Sequence, residues 1–233
     1  VACSRTIYRP TTGEGFGTLR ARSLQPRGIE VKELVRRQLA RSIETMERVR
    51  ADDTLLEAVV RASTVTAEAM MAGRKLLVAG NGGSAADAQH LVAEFVSRLT
   101  VNRPALRAIA LTTDTSILTA IGNDFEYHNV FERQIEALGQ TGDVFLGIST
   151  SGNSKNIVKA LELAREKGIT TIGYSGNGGG QMAALCDINV IIPSSTTMNI
   201  QESHLALEHI FCIMVELCCF GPDFGGYAKA LGL

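Results

Sequence analysis

Three short blocks of this chain hold residue types and spacings able to do chemistry. The first is GNGGSAADAQHLVAEF, Gly80 to Phe95; the second is GISTSGNS, Gly147 to Ser154; the third is IQESHLALEH, Ile200 to His209. His90 and Glu94 stand four residues apart, so a helix through them puts an imidazole and a carboxylate on one face. A positioned carboxylate and imidazole are the usual partners of proton transfer, although the same spacing also describes a plain solvated surface contact. Gln201 and His209 form a second grouping, separated along a helix by about 12 Å and by roughly 80° around it. Either Gln201 lies at the entrance of its helix, or the site draws on more than one subunit. His204 reads as a supporting group and His128 as a solvated loop or helix-edge residue. Asn123 and Asp124, in the GNDF run, offer a polar rim for substrate hydroxyls or simply make a turn.

The second block points to a phosphate. Ser149, Thr150, Ser151 and Ser154 place four hydroxyls within six residues, after the apolar run Val144–Ile148 and before the helical pattern Ile157, Leu161, Ala164. A helix N-terminus carries free amides and a partial positive charge, and an ordinary helix cap needs one hydroxyl, not four. Gly152 is expected to let backbone approach a ligand closely. Asn81, Gly82, Gly83 and Ser84 of GNGGS lack the Lys of a Walker loop and the spacing of a dinucleotide fold. Beside the second loop they read as the other wall of a sugar-phosphate pocket. The chemistry expected is that of a phosphorylated small molecule handled by a carboxylate and an imidazole.

The elements that must position these blocks follow from apolar periodicity. Val31, Leu34, Val35, Leu39, Ile43, Met46 and Val49 recur at helical steps. Asp52 or Asp53 caps a second helix carrying Leu55, Leu56, Val59 and Val60; both helices precede the first strand and serve packing or assembly. Strands are expected at Lys75–Ala79, Leu106–Leu111, Val144–Ile148, Thr170–Tyr174 and Ile188–Ile192. Most are continuous apolar runs, as in parallel strands covered on both faces. Helices are expected at Ala85–Ser97, Thr115–Ile121, Val130–Leu138 and Ser154–Lys167, with a short one near Gln181 and a last one from about Gln201 to Phe220. The alternation implies an α/β fold with an open, doubly wound parallel sheet, in which ligands sit beyond the carboxyl ends of the strands. Both loops follow strands and so fall at that edge.

The 233 residues make one domain with a tail, long enough for a sizeable core. A net charge of −1 shows no basic excess of the kind nucleic acid selects. The longest apolar stretches are read as falling short of a membrane span, so a soluble protein without membrane or nucleic-acid partners is expected. Cys3, Cys186, Cys212, Cys218 and Cys219 include no CxxC pair; they read as free thiols in a reducing cytoplasm. Residues 1–28 carry five arginines against the single acid Glu14. They are expected to be a disordered extension or, alternatively, a targeting leader. Residues 29–233 form the domain.

Taken together, GNGGSAADAQH, the GND at 122–124, GISTSGNS, and IQESH followed by His209 resemble the SIS (sugar isomerase) domain, and within it the phosphoheptose isomerase family. The resemblance covers about residues 30–222. It implies a three-layer, flavodoxin-like parallel sheet with N-terminal helices, assembled as a homotetramer with sites near subunit contacts. It implies phosphate binding by Ser149, Thr150, Ser151 and Ser154, and substrate contacts at Asn81, Ser84 and Asp124. The catalytic pair falls on Glu94 and His209. The zinc ligands of some members, one ion per subunit, fall on His90, Glu94, Gln201 and His209. The implied reaction converts sedoheptulose 7-phosphate to D-glycero-D-manno-heptose 7-phosphate through an enediol, for lipopolysaccharide or capsule heptose. Some members carry Asp three residues before the Gln; Met198 stands there in this chain and removes one hydroxyl contact. Extension 1–28 has no counterpart in the family pattern. Three alternatives stand beside this one. A non-catalytic SIS adaptor of replication initiation lacks the Glu and His that this chain keeps at Glu94 and His209. A sugar-phosphate-sensing regulator needs a DNA-binding domain for which there is no room. An isomerase of a pentose or hexose phosphate differs in loop geometry rather than motif.

Overall fold

The computed structural model describes residues 30–232; the expectations for residues 1–28, Cys3 among them, lie outside the described residues. Helix α1 (Val31–Ala51) crosses the boundary, after Leu39, at which the compact unit 40–233 begins. The sheet and every site residue belong to that unit. Helix α2 (Asp53–Met71) starts where expected because the Asp52 carboxylate accepts a hydrogen bond from the Leu55 amide at 3.0 Å.

Five parallel strands follow: β1 (Leu76–Gly80), β2 (Ala108–Ala110), β3 (Val144–Ser149), β4 (Thr170–Ser175) and β5 (Ile188–Ile191), in the order β2-β1-β3-β4-β5. Between them run α3 (Gly83–Val96), α4 (Thr115–Asp124), α5 (Glu132–Leu138) and α6 (Lys155–Glu166). A glycine-rich 3-10 segment spans Asn177–Ala184, and α7 (Thr197–Phe220) and α8 (Tyr227–Leu231) close the chain. Alternation along the strands separates two cores. Leu76, Val78, Leu146 and Tyr174 join residues of α2, α3 and α7 on one face. Leu77, Ala79 and Phe145 join residues of α5 and α6 on the other. The result is the expected three-layer α/β architecture.

Differences from expectation have local causes. Strand β2 is three residues long because it lies at the sheet edge with β1 as its single neighbour, and Ile109 is exposed there. Helix α7 begins at Thr197, because Thr196 adopts an extended cap and its carbonyl accepts from the Ile200 amide at 3.0 Å. Gln201 therefore sits inside the helix rather than at its entrance. By length and composition α7 could cross a membrane, contrary to the expectation that apolar runs fall short. It is nonetheless a core helix, burying Asn199, Ser203, His204, Glu208 and Glu216 along with its apolar side chains.

Candidate active site

The two loops meet at the carboxyl edge of neighbouring strands, since Gly80 of β1 pairs with Ile148 of β3. The two carboxamides of Asn81 and Asn156 exchange reciprocal hydrogen bonds at 2.9 and 2.8 Å, which ties GNGGS to the first turn of α6. The Tyr127 hydroxyl donates to Asn81 Oδ1 at 3.3 Å. Asn81, Tyr127, His128, Ser154, Lys155 and Asn156 line a cavity of about 490 Å³. Ser149 Oγ lies 2.9 Å from Ser154 Oγ and 3.4 Å from Ser151 Oγ. Ser154 starts α6 without spending its hydroxyl on a backbone cap, so the first amides of α6 stay open to an anion.

Gly152 sits at φ +66°, and what approaches it is protein: a Cβ there would stand 2.0 Å from the Gly179 carbonyl oxygen. Its small size serves the packing of the 3-10 segment against the loop. His128, read as a solvated loop or helix-edge residue, does stand half-exposed in the 3-10 turn Tyr127–Asn129, and it also lines the cavity, 3.1 Å from Glu126. Ser84 is buried, packed beneath Gly80, while Gly82 at φ +57° turns the chain into α3. A Cβ at Gly83 would stand 2.3 Å from Gln201 Nε2, so any side chain there would push the Gln201 carboxamide aside.

The acid–base residues assemble between α3 and α7. His90 Nε2 and His209 Nε2 stand 2.9 Å apart with the rings nearly perpendicular, and Glu94 Oε1 lies 3.6 Å from His90 Nε2. One ligand atom from each of His90, Glu94 and His209 falls within 4.8 Å of the others. Two imidazole nitrogens and a carboxylate oxygen are a donor set suited to zinc, leaving a coordination position for water or substrate. Gln201 is held elsewhere: its Nε2 donates to both Asp87 oxygens at 3.2 and 3.0 Å. That orientation leaves Gln201 Oε1 as the atom it could offer an ion.

Below this cluster the helices carry polar groups that sequence reasoning missed. Asp87 is buried and its pKa is raised by desolvation, opposed by the Gln201 hydrogen bond and the nearby His90. Its signal was legible, one turn before His90 on the same face. Glu208 beside His209 is also buried, and desolvation with the neighbouring Asp87 charge pushes its carboxyl up to about 8. His204 is fully buried, with Nε2 3.1 Å from the Ser175 carbonyl oxygen, and burial lowers its pKa to about 4. A neutral, fixed imidazole agrees with a supporting role. Tyr127, Lys155 and Asn156 were also overlooked; Lys155 supplies a cation directly after Ser154 at the phosphate loop.

Asn123 and Asp124 are not brought to the cavity at Asn81. They form the exposed last turn of α4, Asn123 Nδ2 donating to Asp124 Oδ1 at 2.7 Å. Asp124 instead lines a separate, largely apolar hollow with Phe125 and Arg133.

A parallel sheet with a serine-lined loop at its carboxyl edge and an imidazole–carboxylate cluster between two helices defines a sugar-phosphate-handling α/β domain. The SIS domain model matches residues 37–176. A phosphoheptose isomerase of Aneurinibacillus thermoaerophilus is 50% identical over 194 residues, 83% of this chain and 98% of that protein. A phosphoheptose isomerase 2 of Campylobacter jejuni is 53% identical over 190 residues, 82% of this chain and 94% of that protein. The solved phosphoheptose isomerase of Neisseria gonorrhoeae superposes with a TM-score of 0.75 at 41% identity, over 80% of this chain and 98% of that one. The chain belongs to the SIS-domain family and, within it, to the phosphoheptose isomerases.

Proposed function

We infer that this chain is an aldose–ketose isomerase that interconverts sedoheptulose 7-phosphate and D-glycero-D-manno-heptose 7-phosphate. The observation that carries the reading is the convergence of His90, Glu94 and His209 within 4.8 Å, in a relative of phosphoheptose isomerases with the serine loop intact.

In the forward direction the Glu94 carboxylate takes a proton from C1 of the ketose. The C1–H electron pair becomes the C1=C2 bond of an enediol as the C2 oxygen accepts a proton from His209. Glu94 then returns its proton to C2 while the C1 hydroxyl gives up its own to His209, so substrate and product are isomers and both side chains are restored. Each proton-transfer role is typically worth about 10²–10⁴ in rate. Ser149, Thr150, Ser151 and Ser154 with the first amides of α6 hold the phosphate, assisted by Lys155. Binding at that remote end positions the reacting carbons. Asn81 supplies the facing wall, with Gly82, Gly83 and buried Ser84 building the turn behind it; substrate contacts from Asn123 and Asp124, which lie outside this cavity in the single chain, would require the assembled enzyme.

Zinc, one ion per subunit, would be held by His90, Glu94 and His209, with Gln201 Oε1 as a further donor only where substrate does not take that position; bound there it would polarise the C1–C2 oxygens. A homotetramer is supported by the exposed apolar side chains Ile43, Val60 and Met71 on the two N-terminal helices. A cytoplasmic location is supported by the free state of Cys186, Cys212, Cys218 and Cys219. The domain is taken as residues 29–233, with 1–28 as an extension. The purified chain is expected to equilibrate sedoheptulose 7-phosphate with an aldose phosphate; absence of turnover of any ketose phosphate would remove the proposal.

A further inference from the structure

One guanidinium fastens both helices that carry the acid–base cluster. Arg103 lies between α3 and β2, and its side chain is completely buried. Nη2 donates to the main-chain carbonyl of Glu94 at 2.6 Å, and Nη1 to that of Phe95 at 2.7 Å and of Pro104 at 3.1 Å. On its other edge Nε donates to Glu216 Oε1 at 2.7 Å, and Nη2 reaches the same oxygen. Glu216 is itself buried and stands on α7. It follows His209 by seven residues, two helical turns, so both residues project from nearly the same face.

The last carbonyls of a helix lack intrahelical partners, so a cation at the end of α3 has a capping use. Capping alone does not require a second anchor. Here the arginine is held in turn by a buried carboxylate on the helix of His209, and a buried ion pair is weak evidence of net stability. A planar guanidinium with donors in fixed directions is suited to setting geometry. The geometry at stake is tight: the cluster spans 2.9 Å between the imidazoles and 3.6 Å to Glu94. A misplacement of about 1 Å at a reacting group can lower turnover about 10²-fold.

We propose that Arg103, braced by Glu216, is a positioning residue that fixes the Glu94 backbone of α3 against the His209-bearing helix α7 and so sets the spacing of the acid–base pair. The proposal rests on the assignment of Glu94 and His209 as that pair.

The test compares Arg103→Lys, Glu216→Gln and their double variant with Glu94→Gln in the full chain. It measures kcat and KM on sedoheptulose 7-phosphate together with melting temperature. Arg103→Lys is expected to lower kcat at least about tenfold with KM within about twofold, because the phosphate loops are untouched. Glu216→Gln should show the same split, and the double variant should lose no more than the worse single, since both act through one link. Should Arg103→Lys not fold, Glu216→Gln and Glu216→Asp carry the same comparison. If the folded variants keep kcat within twofold of the parent while Glu94→Gln is inactive, the positioning role is refuted and the acid–base assignment stands. If Glu94→Gln turns over normally, the acid–base assignment fails and the positioning role with it.

Discussion

The Nε2 atoms of His90 and His209 face each other at 2.9 Å across the contact between α3 and α7. Two imidazoles can share that distance only if one nitrogen carries a proton and the other accepts it, or if a cation takes the proton's place. Either state puts a proton or an ion beside the Glu94 carboxylate, where the proposed enediol chemistry needs it.

Glu94→Gln keeps the shape of the side chain and removes its basicity. Turnover should fall by about 10²–10⁴, with the melting temperature nearly unchanged and inorganic phosphate still bound. Steady-state rates and a phosphate titration check this, and full activity would dismiss Glu94 as the base.

Protein purified without chelator should carry about one zinc per chain, and His90→Ala should lose most of it, because it removes one of the two imidazole donors. Elemental analysis reads this directly. A stoichiometry near zero, with activity indifferent to chelators, would reject the metal.

At the other end of the substrate, Ser154→Ala removes a hydroxyl hydrogen-bonded to Ser149 at the mouth of α6. A hydrogen bond to a charged group is worth about 1.5–3 kcal/mol. KM for a sugar phosphate should therefore rise about tenfold or more, and the melting temperature should move little. An unchanged KM would place the phosphate elsewhere.

His204 sets a pH dependence of stability. Its folded pKa of about 4 lies below the ordinary imidazole value of 6.5, so the unfolded chain takes up a proton first as pH falls. Above the unfolded value the group contributes no slope; between about 6.5 and 4 the fold should lose about 3 kcal/mol from this residue. Denaturant melts at several pH values test it. Glu208, whose folded carboxyl stands at about 8, contributes with the opposite sign as pH falls, so His204→Leu should remove the His204 share and leave the Glu208 trend, and an unaltered slope would contradict the buried, neutral imidazole.

Much of this was legible in the letters because it is local. Continuous apolar runs marked the five strands, and the i, i+4 spacing of His90 and Glu94 did put them on one face. Gly152 was misjudged because its neighbour, Gly179, lies on a distant segment that no spacing announces. Gln201 was misplaced because the extended cap at Thr196 starts α7 earlier than the motif suggests. Arg103 gave no signal at all, since a lone arginine before a proline acquires meaning only when Glu216 and the end of α3 close around it. Asp124 illustrates a different limit: a motif position can be matched while the single chain leaves it outside the cavity.

Turnover of a seven-carbon ketose phosphate is decided by NMR of the products formed from sedoheptulose 7-phosphate, with pentose and hexose phosphates run alongside. A heptose 7-phosphate aldose is expected from the first and little or no product from the others. Reaction of only the pentose or hexose phosphates would contradict it.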